Sequence, residues 1–293
     1  MTPGPICDLC GSSSSELRYR LADLDVLQCA GCGLVFIQRR RDDCPQQHLY
    51  SPDYFSDRGE YFLQVSDQDL ERLAGGHIES FRQGLNLIRR YRRQGGKLLD
   101  LGCAVGIFLA LAMKEGWEVS GVDISEYAAG IARKRCGVEI HTGEVGDVGF
   151  PDASFDVITM WDVVEHFLHP RKTLLEVNRI LRDDGIVLLD TPNVDSLIRK
   201  VAHWIYRFSL GQARYPVQKL YHVYHQYYFS EITLRRLLET SGFTVLELIY
   251  KPIPREKGRG SPLERTIVKA FGLLEGPLRM DYELLAIARK KKP

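Results

Sequence analysis

The stretch Lys97–Asp123, KLLDLGCAVGIFLALAMKEGWEVSGVD, decides the fold of this chain. Leu98 and Leu99 read as a short buried strand, and Asp100-Leu-Gly102-Cys-Ala-Val-Gly106 reads as a turn. A helix begins at Ile107, and Glu118 to Val122 is a second strand ending on the carboxylate of Asp123. This is the layout of a site for an adenosine-type cofactor. Gly102 and Gly106 lack Cβ atoms, so a ligand and a helix can approach the backbone closely. The helix N-terminus presents unpaired N–H groups beside the turn. A carboxylate at the end of the second strand can accept hydrogen bonds from two ribose hydroxyls.

The glycine spacing selects among such cofactors. A dinucleotide fingerprint would read G-x-G-x-x-G and seat a pyrophosphate on the helix N-terminus. Here the pattern is D-x-G-x-x-x-G, with Asp100 where a diphosphate would be repelled and an ammonium welcomed. S-adenosylmethionine fits, with its adenine, ribose, sulfonium and amino-acid tail. The competing readings at this point are a dinucleotide site and an αβ turn with no ligand.

From these residues the chain resembles the class I S-adenosylmethionine-dependent methyltransferases over roughly residues 70 to 290. The resemblance implies an α/β fold: a Rossmann-like seven-stranded sheet with a reversed C-terminal β-hairpin. Its later elements follow in order. They are a helix from Ser125 to Cys136, a strand from Val138 to Thr142, a strand from Val157 to Trp161, and a helix from Arg171 to Leu181. After a turn at Arg182–Gly185 comes a strand to Asp190, and the hairpin strands are 243–251 and 282–289. The resemblance places cofactor contacts at Asp100, Gly102, Gly106, Phe108, Asp123, Ile124, Glu144, Val145, Trp161 and Asp162. Asp156 reads instead as a turn cap.

The N-terminus carries a second signal. Cys7-Asp-Leu-Cys10 and Cys29-Ala-Gly-Cys32 are separated by 18 residues, and each pair is followed by a glycine, Gly11 or Gly33. Four thiolates at this spacing match a closed tetrahedral zinc site that folds a module rather than catalyses. The expected strands are Glu16–Leu21 and Leu34–Ile37. Arg18, Arg20 and Arg39–Arg41 are offset by Asp8, Glu16, Asp23, Asp25, Asp42 and Asp43, which argues against a nucleic-acid role. The organisation expected is a zinc-ribbon module over 1–41, a linker over 42–66 and a methyltransferase domain over 67–293. The ribbon, with Tyr50-Ser-Pro-Asp-Tyr54-Phe55 after it, resembles a bacterial group of small-molecule and sugar methyltransferases.

The 194–229 insert is rich in aromatics: Trp204, Tyr206, Phe208, Tyr215, Tyr221, Tyr224, Tyr227, Tyr228 and Phe229, with His203, His222 and His225. It reads either as a mobile aromatic lid over the acceptor or as a helical insert packing its rings as core. The segment His225-Gln-Tyr-Tyr228-Phe229-Ser230 resembles the family pattern H-x-x-Y-F-S, which makes His225 a candidate base. His166 is a second candidate, or else packs the cofactor pocket. Tyr50, Tyr54, Tyr224 and Tyr228 are the candidate acceptor contacts.

Bulk composition bounds the rest. The 293 residues are 44% apolar, enough for a sizeable core, and the net charge of +1 gives no overall pull toward nucleic acid or an anionic membrane. No apolar run has transmembrane length and no signal-peptide pattern opens the chain, so a soluble cytoplasmic protein is the default. Seven cysteines, four of them in CxxC pairs, suit a reducing compartment with a metal. The 252–281 insert is a candidate homodimer face. The expected activity is methyl transfer from S-adenosylmethionine to an oxygen, or a carbon, of a sugar or secondary metabolite. The alternatives are a methyltransferase acting on a protein or RNA recruited by the ribbon, and a non-catalytic S-adenosylmethionine-binding module.

Overall fold

A computed structural model of the chain describes residues 5–39, 76–92, 95–252, 266, 271–272 and 274–292. Tyr50, Tyr54, Cys44 and the whole 42–66 linker lie outside the described residues, as does most of the expected helix near 263–274.

The main sheet has seven strands: β4 (Lys97–Leu101), β5 (Glu118–Asp123), β6 (Ile140–Thr142), β7 (Phe155–Trp161), β8 (Leu181–Pro192), β10 (Phe243–Lys251) and β11 (Glu283–Lys290). Their order is β10-β11-β8-β7-β4-β5-β6. The pairs β6–β5–β4–β7–β8 are parallel, and β11 runs antiparallel to both β8 and β10. Strand β4 lies between β5 and β7, so the chain winds outward in both directions from it. The strand ends flanking such a reversal leave a crevice, which is where open α/β sheets bind ligands. Helices cover both faces, so the central strands are apolar throughout; Leu98, Leu99, Val157, Ile158 and Met160 are all fully buried.

Local chemistry sets the helix limits. Helix α1 (Gly76–Tyr91) precedes β4, and α2 (Ile107–Lys114) follows the glycine turn. Helix α3 (Glu126–Cys136) starts on Ser125, whose hydroxyl accepts from Ala128 N, and stops at Gly137 with a positive φ of 65°. A short helix, α4 (Val145–Val148), leads toward β7, and α5 (Pro170–Ile180) toward β8. Asp156 sits at the opposite end of the sheet from the crevice. It accepts from Lys97 N at 2.7 Å and pairs with Arg92 and Arg182, so its role is to tie strand starts together.

Three expectations change. The ribbon contains a strand between the two expected ones: β1 (Ser15–Arg20), β2 (Leu24–Cys29) and β3 (Val35–Arg39) form an antiparallel meander. Arg182–Gly185 is not a free turn but an irregularity within β8. Phe155 pairs Leu181 and Val157 pairs Ile186, so the residues between bulge out of register. The aromatic insert, finally, does not hang over the site as a separate lid. Its β9 (Tyr227–Tyr228) pairs antiparallel with β3 through Val35–Tyr228 and Phe36–Tyr227, making the ribbon sheet four-stranded.

The insert's aromatics pack as core. Tyr19, Leu24, Val26, Val35 and Ile37 on one face of the ribbon meet Ala202, Val217, Leu220, Tyr221 and Tyr228 of the insert. The other ribbon face, with Leu9, Leu27, Leu34 and Phe36, joins the main core beside Val164, Leu174 and Phe229. Helices α6 (Leu197–Phe208) and α7 (Tyr215–Leu220) form the insert's body. Arg199 of α6 is fully buried, with its guanidinium 5.1–5.4 Å from the ring centres of Tyr221, Tyr228 and Tyr282. It also donates to the carbonyls of Asn193 and Leu220. Three ring faces and two carbonyls replace the water this cation gives up. Helix α8 (Glu231–Thr240) then begins on a Ser230–Thr233 capping box.

Candidate functional site

The crevice is lined by the C-terminal ends of β4, β5, β7 and β8. The turn after β4 is held against β5, with Gly102 N and Cys103 N donating to Val122 O. Asp123 accepts from Ala104 N at 2.7 Å and Ser125 N at 2.8 Å, one bond to each oxygen. A carboxylate has about four acceptor sites, so hydroxyl donors can still bind. Gly143 N donates to Asp123 O, which brings the start of the Glu144–Val145 segment to the same edge. Glu144 is exposed there, Val145 is buried and Ile124 is half-buried.

The glycines of the turn serve the close packing that their missing Cβ atoms predict. Gly102 and Gly106 both have left-handed backbones, φ 72° and 78°. A Cβ on Gly106 would lie 3.0 Å from Ala132 Cβ and 3.2 Å from Cys136 Sγ, both on α3. A Cβ on Gly102 would lie 2.6 Å from Val163 Cγ2. The missing side chains therefore let α3 and the β7 loop close around the turn.

Asp100 is buried and accepts from Thr159 Oγ1 at 2.6 Å. Desolvation, and to a lesser extent the nearby Asp123 carboxylate, push its pKa up to about 8, against the pull of the Thr159 hydrogen bond. A group raised in this way stabilises the fold fully at pH values below about 4, its unfolded range, and loses that contribution as pH rises through about 8. Asp100 should thus cost stability progressively between about pH 4 and pH 8, and Asp100→Asn should flatten that slope. Urea midpoints at several pH values measure this, and an unchanged slope in the variant would remove Asp100 as its source.

Trp161 ends β7 against an aromatic cluster. Its ring centre is 4.9 Å from Phe81 and 5.1 Å from Phe108. Helix α1 passes so close that a Cβ on Gly84 would lie 2.3 Å from the indole. The indole N–H is buried with no acceptor among the described residues. Asp162 follows with a left-handed φ of 49°, its N–H donating to Asp190 O. Phe108 is buried behind this ring and packs it.

Below Trp161 lies a charge cluster that sequence reading missed. Lys251 Nζ is 2.5 Å from Asp190 and 3.3 Å from Glu283, all three nearly fully buried at the ends of β10, β8 and β11. Burial and Glu283 push Asp190 up, while the carboxylates hold Lys251 protonated above its usual range. In sequence Lys251 and Glu283 are 61 and 93 positions from Asp190, so no local pattern joins them.

The acceptor side is built from the β7 loop, β8 and the insert. Val164–His166 forms a 3-10 turn. Glu165 is buried and accepts from Thr191 Oγ1 at 2.9 Å. The insert docks by Gln226 N donating to Glu165 O. His166 Nδ1 donates to Tyr224 O at 2.8 Å, which leaves Nε2 as the basic nitrogen. The rings of His166 and His225 meet at 4.7 Å. The structure so brings the two candidate histidines together with Glu165. Ligand atoms of these three lie within 4.8 Å of one another, a spacing that also allows a divalent cation. Tyr224 lies beside the pair. Tyr228 packs against His225, ring centres 5.3 Å apart, but it is fully buried in the ribbon core, and its hydroxyl accepts from His222 N. The register of β9 turns its side chain into the core.

At the ribbon, Cys7, Cys10, Cys29 and Cys32 place four sulfurs within 4.8 Å of one another, with Cys7–Cys32 at 3.6 Å and Cys10–Cys29 at 3.5 Å. A zinc ion about 2.3 Å from each thiolate needs sulfur–sulfur edges of roughly 3.8 Å, so the cage fits such an ion.

Residues 63–248 match the family model described as "Methyltransferase domain". A ubiquinone biosynthesis O-methyltransferase from Azoarcus sp. is 28% identical over 172 residues, covering 55% of this chain and 71% of that protein. A Mycolicibacterium smegmatis protein described as a probable S-adenosylmethionine-dependent methyltransferase is 30% identical over 156 residues, covering 53% of this chain and 54% of that one. The fold of the YcgJ protein from Bacillus subtilis matches with a TM-score of 0.51 at 18% identity, covering 74% of this chain and all of the other. The crevice at the β4 reversal and the family match over 63–248 agree: the chain belongs to the methyltransferase-domain family and is an S-adenosylmethionine-dependent methyltransferase.

Proposed function

We propose that the protein transfers the methyl group of S-adenosylmethionine to an oxygen of a small acceptor, a sugar or other secondary metabolite, with a carbon acceptor as the variant of the same reaction. The observation that carries this reading is the His166–His225 pair, closed onto buried Glu165 in the loop that follows the C-terminal end of β7. A hydroxyl acceptor must lose a proton as it is methylated, and a histidine with a basic nitrogen facing the site suits that task.

The cofactor supplies an electrophilic methyl on a sulfonium. Asp123 would hold the ribose, and the cationic end of the cofactor would draw Asp100 into its charged form, lowering its raised pKa. Gly102, Gly106, Phe108, Ile124, Glu144, Val145 and Asp162 would line or support its pocket. The buried Trp161 N–H without an acceptor supports a ligand completing this edge. His225, with His166 beside it, would take the acceptor proton, and Tyr224, with Tyr50 and Tyr54, would orient the acceptor. A closed four-cysteine zinc at Cys7, Cys10, Cys29 and Cys32 leaves no open position, so it would act as a clip for the ribbon.

Replacing His225 or His166 by Gln tests the base. Turnover against a panel of sugar nucleotides and phenols should fall about 10²–10⁴-fold for the base, with S-adenosylmethionine affinity by calorimetry within a few-fold of wild type. Full turnover in both variants removes the assignment.

A further inference from the structure

The insert's outer face carries a feature that methyl transfer does not use. On α6, Val201, Trp204, Ile205 and Phe208 are exposed at helical spacing, on the side away from buried Arg199 and Ala202. Phe208 is 81% and Leu210 89% exposed, and Tyr215 at the start of α7 is 59% exposed. Trp204 and Phe208 stack with ring centres 5.5 Å apart. Leu210 is held in a left-handed backbone, φ 52°, next to Gly211 at φ 80°. A branched apolar residue placed in that conformation and pushed into water is costly twice over. Such strain persists where it serves a purpose.

Charge says what covers this face. From Ser196 to Ser230 the chain has five Lys or Arg and no Asp or Glu. Arg199 is internal, but Lys200, Arg207, Arg214 and Lys219 border the apolar face. Arg20 of the ribbon is adjacent, its backbone N–H 3.5 Å from the Tyr206 hydroxyl and its guanidinium 3.9 Å from Asp25. A second copy of the chain would bring the same cations together and repel. The whole-chain charge of +1 conceals this local excess. Aromatic and aliphatic side chains ringed by cations, on a helix lying along the surface, are the chemistry of an interfacial segment. No helix among the described residues is long and apolar enough to cross a membrane, so the contact would be peripheral.

We propose that α6, the 209–214 loop and the start of α7 dock the enzyme on the surface of an anionic lipid bilayer. Trp204, Phe208 and Leu210 enter the interface, and Lys200, Arg207, Arg214 and Lys219 face the headgroups. This inference stands apart from the choice of acceptor, since its readout is partitioning.

The test is flotation of the full-length protein with phosphatidylcholine vesicles, and with vesicles containing an equal part of phosphatidylglycerol. Binding is expected to the anionic vesicles, weakening as salt is raised from 50 to 500 mM. Phe208→Ser with Leu210→Ser should lower it by about tenfold or more while S-adenosylmethionine affinity and the thermal midpoint hold. Arg207→Gln with Arg214→Gln should lower binding at 50 mM salt and flatten the salt dependence. Three results overturn the proposal: no flotation with anionic vesicles at 50 mM salt, flotation that the Ser variants leave intact, or a dimer by light scattering that those variants dissolve.

Discussion

Lys251→Met should destabilise the protein by about 3–5 kcal/mol at neutral pH, because it strands two buried carboxylates. Lys251 is the cation of a cluster in which Asp190 and Glu283 are each less than 5% exposed. Their Coulomb attraction to the ammonium offsets the loss of hydration, and methionine keeps the volume but not the charge. The sign with pH follows. Asp190, already raised by burial, loses the opposing pull of the ammonium, so the variant takes up protons on folding and its deficit narrows as pH falls. Adding Asp190→Asn and Glu283→Gln to Lys251→Met should recover most of the loss, since neutral groups cost far less to bury. Urea titration of the three proteins at pH 5 and pH 8 measures this. A single variant within 1 kcal/mol of wild type would mean that water reaches the cluster. Asp190 O also accepts from Asp162 N, and Lys251 lies 5.9 Å from the Trp161 ring centre, so the variant should loosen the β7 end as well.

Removing the zinc proposed for the four-cysteine cage should act on the acceptor side before the cofactor side. The ribbon sheet is closed by β9, and Tyr227 and Tyr228 sit two and three residues after His225. A structural zinc contributes folding free energy directly, so chelation or Cys32→Ser should melt the β1–β3 meander. With β3 lost, β9 loses its partner and the His225 segment its anchor. Hydrogen exchange should rise over 15–39 and 222–228 while β4, β5 and β7 stay protected. Turnover should fall at least tenfold with S-adenosylmethionine affinity little changed. Metal release on thiol modification should give one zinc per chain. Retained protection of β9 in metal-free protein would show that the insert holds the ribbon rather than the reverse.

Much of the fold was legible because it rests on local signals. The turn at Asp100–Gly106, the strand pair around it and the CxxC knuckles are short, and each constrains its own backbone. Ser125, Gly137 and Ser230 mark helix ends by hydrogen bonds made within a few residues. What was not legible depends on distant partners. Strand β2 reads as a loop until β1 and β3 flank it. The aromatics of the insert have the same composition whether they cover a pocket or fill a core. Only the pairing of β3 with β9 decides that Tyr19, Tyr221 and Tyr228 are interior. Nothing in the sequence pairs Glu165 with Thr191, and Lys251 looks like any strand-end lysine.

By itself, then, the amino-acid sequence determined the cofactor turn, the order of the strands and the positions of four convergent cysteines. Those features follow from backbone geometry and chain connectivity. The tertiary structure alone decided which face of the insert is core and which is open, and that one lysine sits between two buried carboxylates. Burial and charge are properties of surroundings, and residues far apart in the chain supply those surroundings.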